Sequence, residues 1–181
     1  MRCFISIDMP EEVREELREI QEKIPSDDVK MLLVDTEILH LTLRFLGEID
    51  DFKINKIRDV LKSLKIGKFK ARLGNVGIFP DENFVRVVWI SLQPEEKFKE
   101  ISNLVEKELE GIEGIKKEER FESHVTLARV KFVKNRKDFV EKLKKIKIQP
   151  VEFSVDRIFL KKSTLTPEGP VYENIAEIKL N

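Results

Sequence analysis

The strongest constraint on this fold is a pattern that occurs twice. His40-Leu41-Thr42-Leu43 and His124-Val125-Thr126-Leu127 stand 84 residues apart in a chain of 181, and they hold its only two histidines. At the same offset Pro10 meets Pro94 and Phe69 meets Phe153. Matched positions at one fixed offset mark a repeated supersecondary unit. The chain is therefore expected to run twice through one β-α-β-α-β plan, over roughly 1–80 and 84–165, with a last strand at 171–180. No Gly/Ser-rich linker separates the halves, so a single bilobal domain, 1–181, is expected.

The hydrophobic spacing fills in this plan. Arg2–Ile7 reads as a strand, and Val13, Leu17, Ile20 and Ile24 mark a helix from Pro10 to near Pro25. Strands are expected at Met31–Val34, Ile38–Leu46 and Phe69–Phe79, with a helix at Asp50–Leu64 between the last two. The grammar then restarts. Phe84–Leu92 is a strand, and Phe98, Ile101, Leu104, Val105 and Leu109 mark a helix opened by Pro94. Strands at Phe121–Val130, Val151–Leu160 and Val171–Leu180 and a helix at Lys137–Ile146 complete it. The expected class is α+β: two pseudo-symmetric lobes with largely antiparallel sheets facing a central cleft.

Composition removes some function classes. With 41% hydrophobic and 38% charged residues, the chain has the makeup of a soluble globular domain. Its formal net charge is zero, so no global basic field advertises nucleic acid, although a local basic cleft remains open. One cysteine, Cys3, excludes an internal disulfide framework and a cysteine-rich zinc site, and fits a reducing cytosol. No apolar run approaches the roughly 20 residues of a membrane span. The run Cys3–Ile7 is too short for a signal-peptide core. A cytoplasmic monomer without a membrane is the expectation. The Glu- and Lys-rich composition resembles thermophile surface chemistry.

On an ideal strand, side chains alternate faces. Leu39, Leu41, Leu43 and Phe45 then share one side, Phe45 packing with Leu43, while His40, Thr42 and Arg44 share the other. In the second motif His124 and Thr126 point away from Phe121, Val125 and Leu127. If the halves are related by a two-fold axis, both polar faces line one cleft. Arg129 falls opposite His124 and reaches that cleft only through a bulge or a strand end. Histidine titrates at about 6.5, so one imidazole can accept a proton while the other donates one. Thr42 and Thr126 can donate hydrogen bonds to oxygens that gain charge. Such a constellation suits a phosphodiester and needs no metal or cofactor. A two-histidine metal site with Asp8 or Glu122 is the alternative, but no third ligand repeats with the motif. Lys142, Lys144, Lys145 and Lys147, and Lys161 with Lys162, are candidates for phosphate-backbone contacts or simply for solvated faces.

These residues carry a resemblance over nearly the whole length. The opening Arg2-Cys3-Phe4-Ile5-Ser6-Ile7 with Pro10, the stretch His40 to Gly47, Gly77-Ile78-Phe79-Pro80, the stretch His124 to Arg129, and the tail with Leu160, Ser163, Gly169, Pro170 and Tyr172 resemble the two-histidine phosphoesterase superfamily. Within it, the chain is similar to the RNA 2′,3′-cyclic phosphodiesterases, also described as 2′-5′ RNA ligases. Ser123 departs from the family, which often has proline before its second histidine. The resemblance implies a metal-free cyclic phosphodiesterase with His40 as proton donor and His124 as acceptor. It also implies Arg129 as a phosphate contact, with Arg44 competing for that role. The implied partner is RNA ending in a 2′,3′-cyclic phosphate, tRNA fragments included, opened to a 2′-phosphate. Phe45, Phe79 and Tyr172 are candidates to stack a base. A non-catalytic module that binds RNA ends and a phosphodiesterase for small cyclic nucleotides remain as competing functions.

Overall fold

Helices form where apolar residues recur at three- and four-residue spacing. In the computed structural model, which describes residues 1–118 and 120–181, α1 (Glu11–Lys23) buries Val13, Leu17 and Ile20. α2 (Asp51–Ser63) buries Ile54, Ile57 and Leu61, and α3 (Glu95–Leu109) buries Phe98, Ile101, Val105 and Leu109. α4 (Arg136–Lys144) buries Phe139, Val140 and Leu143. α1 and α3 start directly after Pro10 and Pro94, each with two glutamates in the first turn, where the helix dipole favours negative charge. The Asp50 and Asn135 side chains cap α2 and α4 by accepting from the backbone N–H groups of Lys53 and Asp138 at 2.8 and 3.1 Å.

The strands are β1 (Arg2–Asp8), β2 (Val29–Leu33), β3 (His40–Glu48), β4 (Phe69–Asp81), β5 (Phe84–Gln93), β6 (His124–Val133), β7 (Glu152–Val155), β8 (Arg157–Thr166) and β9 (Gly169–Lys179). They hydrogen-bond in the order β7-β4-β5-β6-β3-β1-β8-β9, with β2 beside β6, and every pairing is antiparallel. The class is thus α+β with an antiparallel sheet. Of the boundaries that differ from the sequence reading, three bear on the motif strands and the sheet order. A 3₁₀ turn at Thr36–Ile38, capped by the Asp35 carboxylate on the Glu37 N–H, delays β3 to His40. β6 begins at His124 rather than Phe121. The stretch Val151–Leu160 breaks at Asp156 into two strands with different partners, β7 on β4 and β8 on β1.

The pairing crosses the midpoint of the chain. β4 follows α2 but lies against β5, while β8 follows α4 but lies against β1. Each of these late strands therefore completes the strands of the opposite half. The halves also meet at one rung between the two motif strands, Leu41 opposite Val125, and both side chains are fully buried. The large core side chains tie helices to the sheet. Phe98 of α3 is fully buried and meets Phe69 of β4 edge to face at 5.3 Å. Truncating such a ring to alanine costs about 3–5 kcal/mol. Among the described residues, no helix is long and apolar enough to cross a membrane.

Candidate active site

Each motif strand keeps its alternation for a few residues and then loses it. In the β1–β3 ladder Ser6 faces Thr42 and Ile5 faces Arg44, so Leu43 is an extra residue. In the β5–β6 ladder Trp89 faces Thr126 and Val88 faces Ala128, so Leu127 is an extra residue. The two bulges stand at the same 84-residue offset as the motifs. Ahead of each, His40 and Thr42, or His124 and Thr126, sit on the face opposite the buried Leu41 and Val125. Past it the faces invert, as a bulge requires.

That inversion corrects two expectations. Arg44, expected on the histidine face, is instead turned inward and buried. Its guanidinium donates to the Glu106 carboxylate and to the backbone carbonyls of Phe45 and Lys116, with Glu118 at 3.5 Å. It borders a cavity of about 220 Å³ shared with Ser102, Glu106 and Phe121, away from both histidines. Phe45, expected beside Leu43, is 54% exposed on the cleft side, its ring 6.3 Å from Phe4. Arg129 is the mirror case. The bulge turns it out of the core on the side of His124, whose pKa burial lowers and the Arg129 charge lowers further. Both bulges are held by buried side chains of the helices. Gln21 of α1 donates to the carbonyls of Val34 and Leu127 at 2.8 and 2.9 Å, and the Ser102 hydroxyl of α3 donates to the Leu43 carbonyl at 3.4 Å.

The imidazoles are posed alike. Nδ1 of His40 lies 2.8 Å from the Ile38 carbonyl, and Nδ1 of His124 lies 2.9 Å from the Glu122 carbonyl. A carbonyl oxygen only accepts, so each Nδ1 carries the hydrogen and each neutral ring keeps Nε2 as its acceptor. In His40, Nε2 lies 3.1 Å from the Thr42 hydroxyl. Continuing the Leu41–Val125 register by one residue each way sets His40 abreast of Thr126 and Thr42 abreast of His124. The histidines are then diagonal neighbours on one face of the sheet. Burial lowers both pKa values, and the positive charge of His124 adds to the lowering at His40. Unprotonated imidazoles are therefore favoured while the cleft is free of anion.

Their surroundings differ. Beside His40, Asp8 stands directly across on β1 and is paired with Lys161 of β8 at 2.7 Å, while the Ser6 hydroxyl donates to its other oxygen at 3.1 Å. Phe4 and Tyr172 flank the His40 ring at centroid distances of 5.1 and 5.4 Å. Beside His124 the walls are Phe79 and Trp89, at 5.1 and 6.2 Å. Trp89 lies over Gly77, where a Cβ would fall 2.2 Å from the indole, so only glycine leaves room for the ring. Ser123, the departure noted ahead of His124, donates its hydroxyl to the Leu92 carbonyl at 3.1 Å and ties the start of β6 to β5. Sequence reasoning missed Asp8–Lys161 as a pair, because 153 residues separate the partners and only the β1–β8 ladder joins them. Of the lysines singled out, Lys142, Lys144, Lys161 and Lys162 are all engaged, by Asp138, Glu82, Asp8 and Glu173.

Comparison with known proteins points to one family. The sequence model of the LigT-like phosphoesterase family matches residues 7–89 and again 91–172. An RNA 2′,3′-cyclic phosphodiesterase of Methanocaldococcus jannaschii is 39% identical over 178 residues, 98% of this chain and 99% of that protein. One of Thermotoga maritima is 34% identical, covering 98% and 94%. Among solved structures, TT0787 of Thermus thermophilus superposes with a TM-score of 0.85 at 30% identity, over 99% of this chain and 98% of that one. With two family matches that between them span both histidine strands, the chain belongs to the LigT-like phosphoesterases.

Proposed function

We propose that this chain is a metal-independent RNA 2′,3′-cyclic phosphodiesterase that leaves a 2′-phosphomonoester. The observation that carries the reading is the pair of imidazoles on the two motif strands, both with Nδ1 bound to a backbone carbonyl, which leaves Nε2 of each as the proton-transfer atom. His124 accepts the proton of an attacking water at Nε2 as the water oxygen bonds to phosphorus. The P–O3′ bond breaks, and His40 donates its Nε2 proton to the departing O3′. The 2′-phosphate remains, and the proton gained by His124 returns to His40 through solvent. Thr42 and Thr126 donate to the non-bridging oxygens, and Arg129 balances their charge.

The polarity, His40 as acid and His124 as base, is taken from the family resemblance. Each ring has one carboxylate and one cation beside it, Asp8 and Lys161 at His40 and Glu122 and Arg129 at His124. Bound phosphodiester anion raises both pKa values and supplies the protonated acid. With a 5′-hydroxyl of a second RNA in place of water, the same proton transfers join the strands through a 2′-5′ linkage. The duplicated halves, 1–80 and 84–165, each contribute one histidine, one threonine and one bulge to this centre, within a single domain that acts as a monomer.

The test is hydrolysis of a short RNA ending in a 2′,3′-cyclic phosphate, in EDTA, with product analysis. A 2′-phosphate is expected. His40→Ala and His124→Ala should each lose about 10²–10⁴ in rate, and the double variant far less than the product of the two. Wild-type rates in His40→Ala, or a 3′-phosphate product, would sink the mechanism.

A further inference from the structure

Past the second bulge-bearing motif, the cleft floor continues onto the β2–β6 pair. Register sets Leu32 opposite Arg129 and Lys30 opposite Phe132. Lys30 and Leu32 are two apart on β2, so they share a face, and their neighbours Val29 and Met31 pack against the core behind them. Phe132 joins them because Lys131 is skipped in the ladder, which turns Phe132 outward while Val133 packs inward. The result is a strip leading away from His124 and Thr126: Arg129 with Leu32, then Phe132 with Lys30. From Thr126 to Phe132 it runs roughly 15 Å at the usual strand rise.

Two properties of the strip point to one occupant. Leu32 and Phe132 are among the most exposed large apolar residues of the chain, at 63% and 54%. Lys30 and Arg129 have no ion-pair partner among the described residues, whereas the lysines first suspected of phosphate contacts are mostly paired. Cations interleaved with apolar surface match the repeat of a single-stranded nucleic acid, one phosphate and one base face per step. The strip also lies on the strand that carries His124 and Thr126. We propose that the single-stranded RNA segment leading into the reacting end lies along β2–β6, with Lys30 on a backbone phosphate and Leu32 and Phe132 against bases. This rests on the phosphodiesterase reading for which end of the RNA meets the histidines. It makes a polynucleotide, rather than a free cyclic nucleotide, the preferred substrate.

The experiment compares a nucleoside 2′,3′-cyclic phosphate with a five-nucleotide RNA ending in the same group, on the wild type and on Lys30→Ala/Phe132→Ala. The wild type should favour the RNA about ten-fold or more in kcat/KM, and the double variant should lose most of that preference through KM, for loss of a stacking partner and a phosphate contact. In parallel, fluorescence anisotropy follows binding of a labelled RNA ending in a 2′-phosphate. There the double variant should bind more weakly, and Lys30→Ala alone should flatten the log–log salt slope by about 0.7, one phosphate contact on a single strand. Binding loss without hydrolysis of either substrate would leave the strip standing and remove the proposed chemistry. Equal use of both substrates with unchanged RNA binding would overturn the strip, as would a change in sedimentation alone, which would give this face to a second copy of the chain.

Discussion

Gln21→Met tests whether a helix side chain sets the shape of the site from behind. Gln21 is 4% exposed, and its amide donates to two carbonyls, that of Val34 at 2.8 Å and that of Leu127 at 2.9 Å. Methionine has nearly the same length and leaves no cavity, so lost packing contributes little. The Leu127 carbonyl keeps the backbone N–H of Val34 at 2.9 Å, whereas the Val34 carbonyl loses its side-chain donor. Two buried hydrogen bonds at about 1 kcal/mol each, plus part of the desolvation penalty of one carbonyl, come to about 2–3 kcal/mol. For a chain of this size that is a drop in Tm of about 5–10 °C. Leu127 is the extra residue of the bulge that turns Arg129 outward, so the phosphate contact proposed for Arg129 should loosen as well. Urea unfolding measures the first effect, and kcat/KM on a cyclic-phosphate RNA the second. A variant within about 0.5 kcal/mol of wild type, half of one such hydrogen bond, would show that the bulge holds itself, and the reasoning would fail.

Three further outcomes are expected. Thr42→Val and Thr126→Val keep the β-branched shape and should each cost about 2–4 kcal/mol of transition-state stabilisation with stability intact; full activity in Thr42→Val removes the hydroxyl from the mechanism. Burial holds both histidine pKa values below their unfolded value, so the unfolded chain binds more protons just below about pH 6.5. Their contribution to stability is fully present above about pH 6.5 and is lost as pH falls through the folded pKa values, and denaturation midpoints of His40→Gln/His124→Gln should show a flatter acid limb. Arg44→Met leaves Glu106 and Glu118 without their buried cation and should cost about 3–5 kcal/mol, while KM of the folded fraction stays near wild type; a raised KM with unchanged Tm would return Arg44 to substrate binding.

The helices were legible because their apolar spacing alone fixes the buried face, as Val13, Leu17 and Ile20 show. The orientation of His40 with Thr42, and of His124 with Thr126, was legible for the same local reason: alternation survives over three residues. It stopped being legible one residue later. Leu43 and Leu127 bulge without a glycine to announce it, and the inversion exchanges the expected faces of Arg44 and Arg129. The strand boundary at Asp156 and the Asp8–Lys161 pair were hidden for a different reason. Both depend on which strand lies beside which, and partner choice between strands is decided by the whole sheet rather than by the strand's own residues.

The crossing of β4 and β8 into opposite halves bears on motion. In many clefts between lobes, a hinge opens for substrate and closes for chemistry. Here the crossing leaves the long ladders, eight pairs in β4–β5 and five in β8–β1, inside the two sides of the sheet, while the histidine strands themselves share the single rung Leu41–Val125. What ties the two sides together is the helix layer behind that rung: Gln21 of α1 holds the Leu127 carbonyl of β6, and Glu106 of α3 holds Arg44 of β3. Any change in the spacing of the two histidine strands has to work against α1 and α3 rather than against the strand ladders.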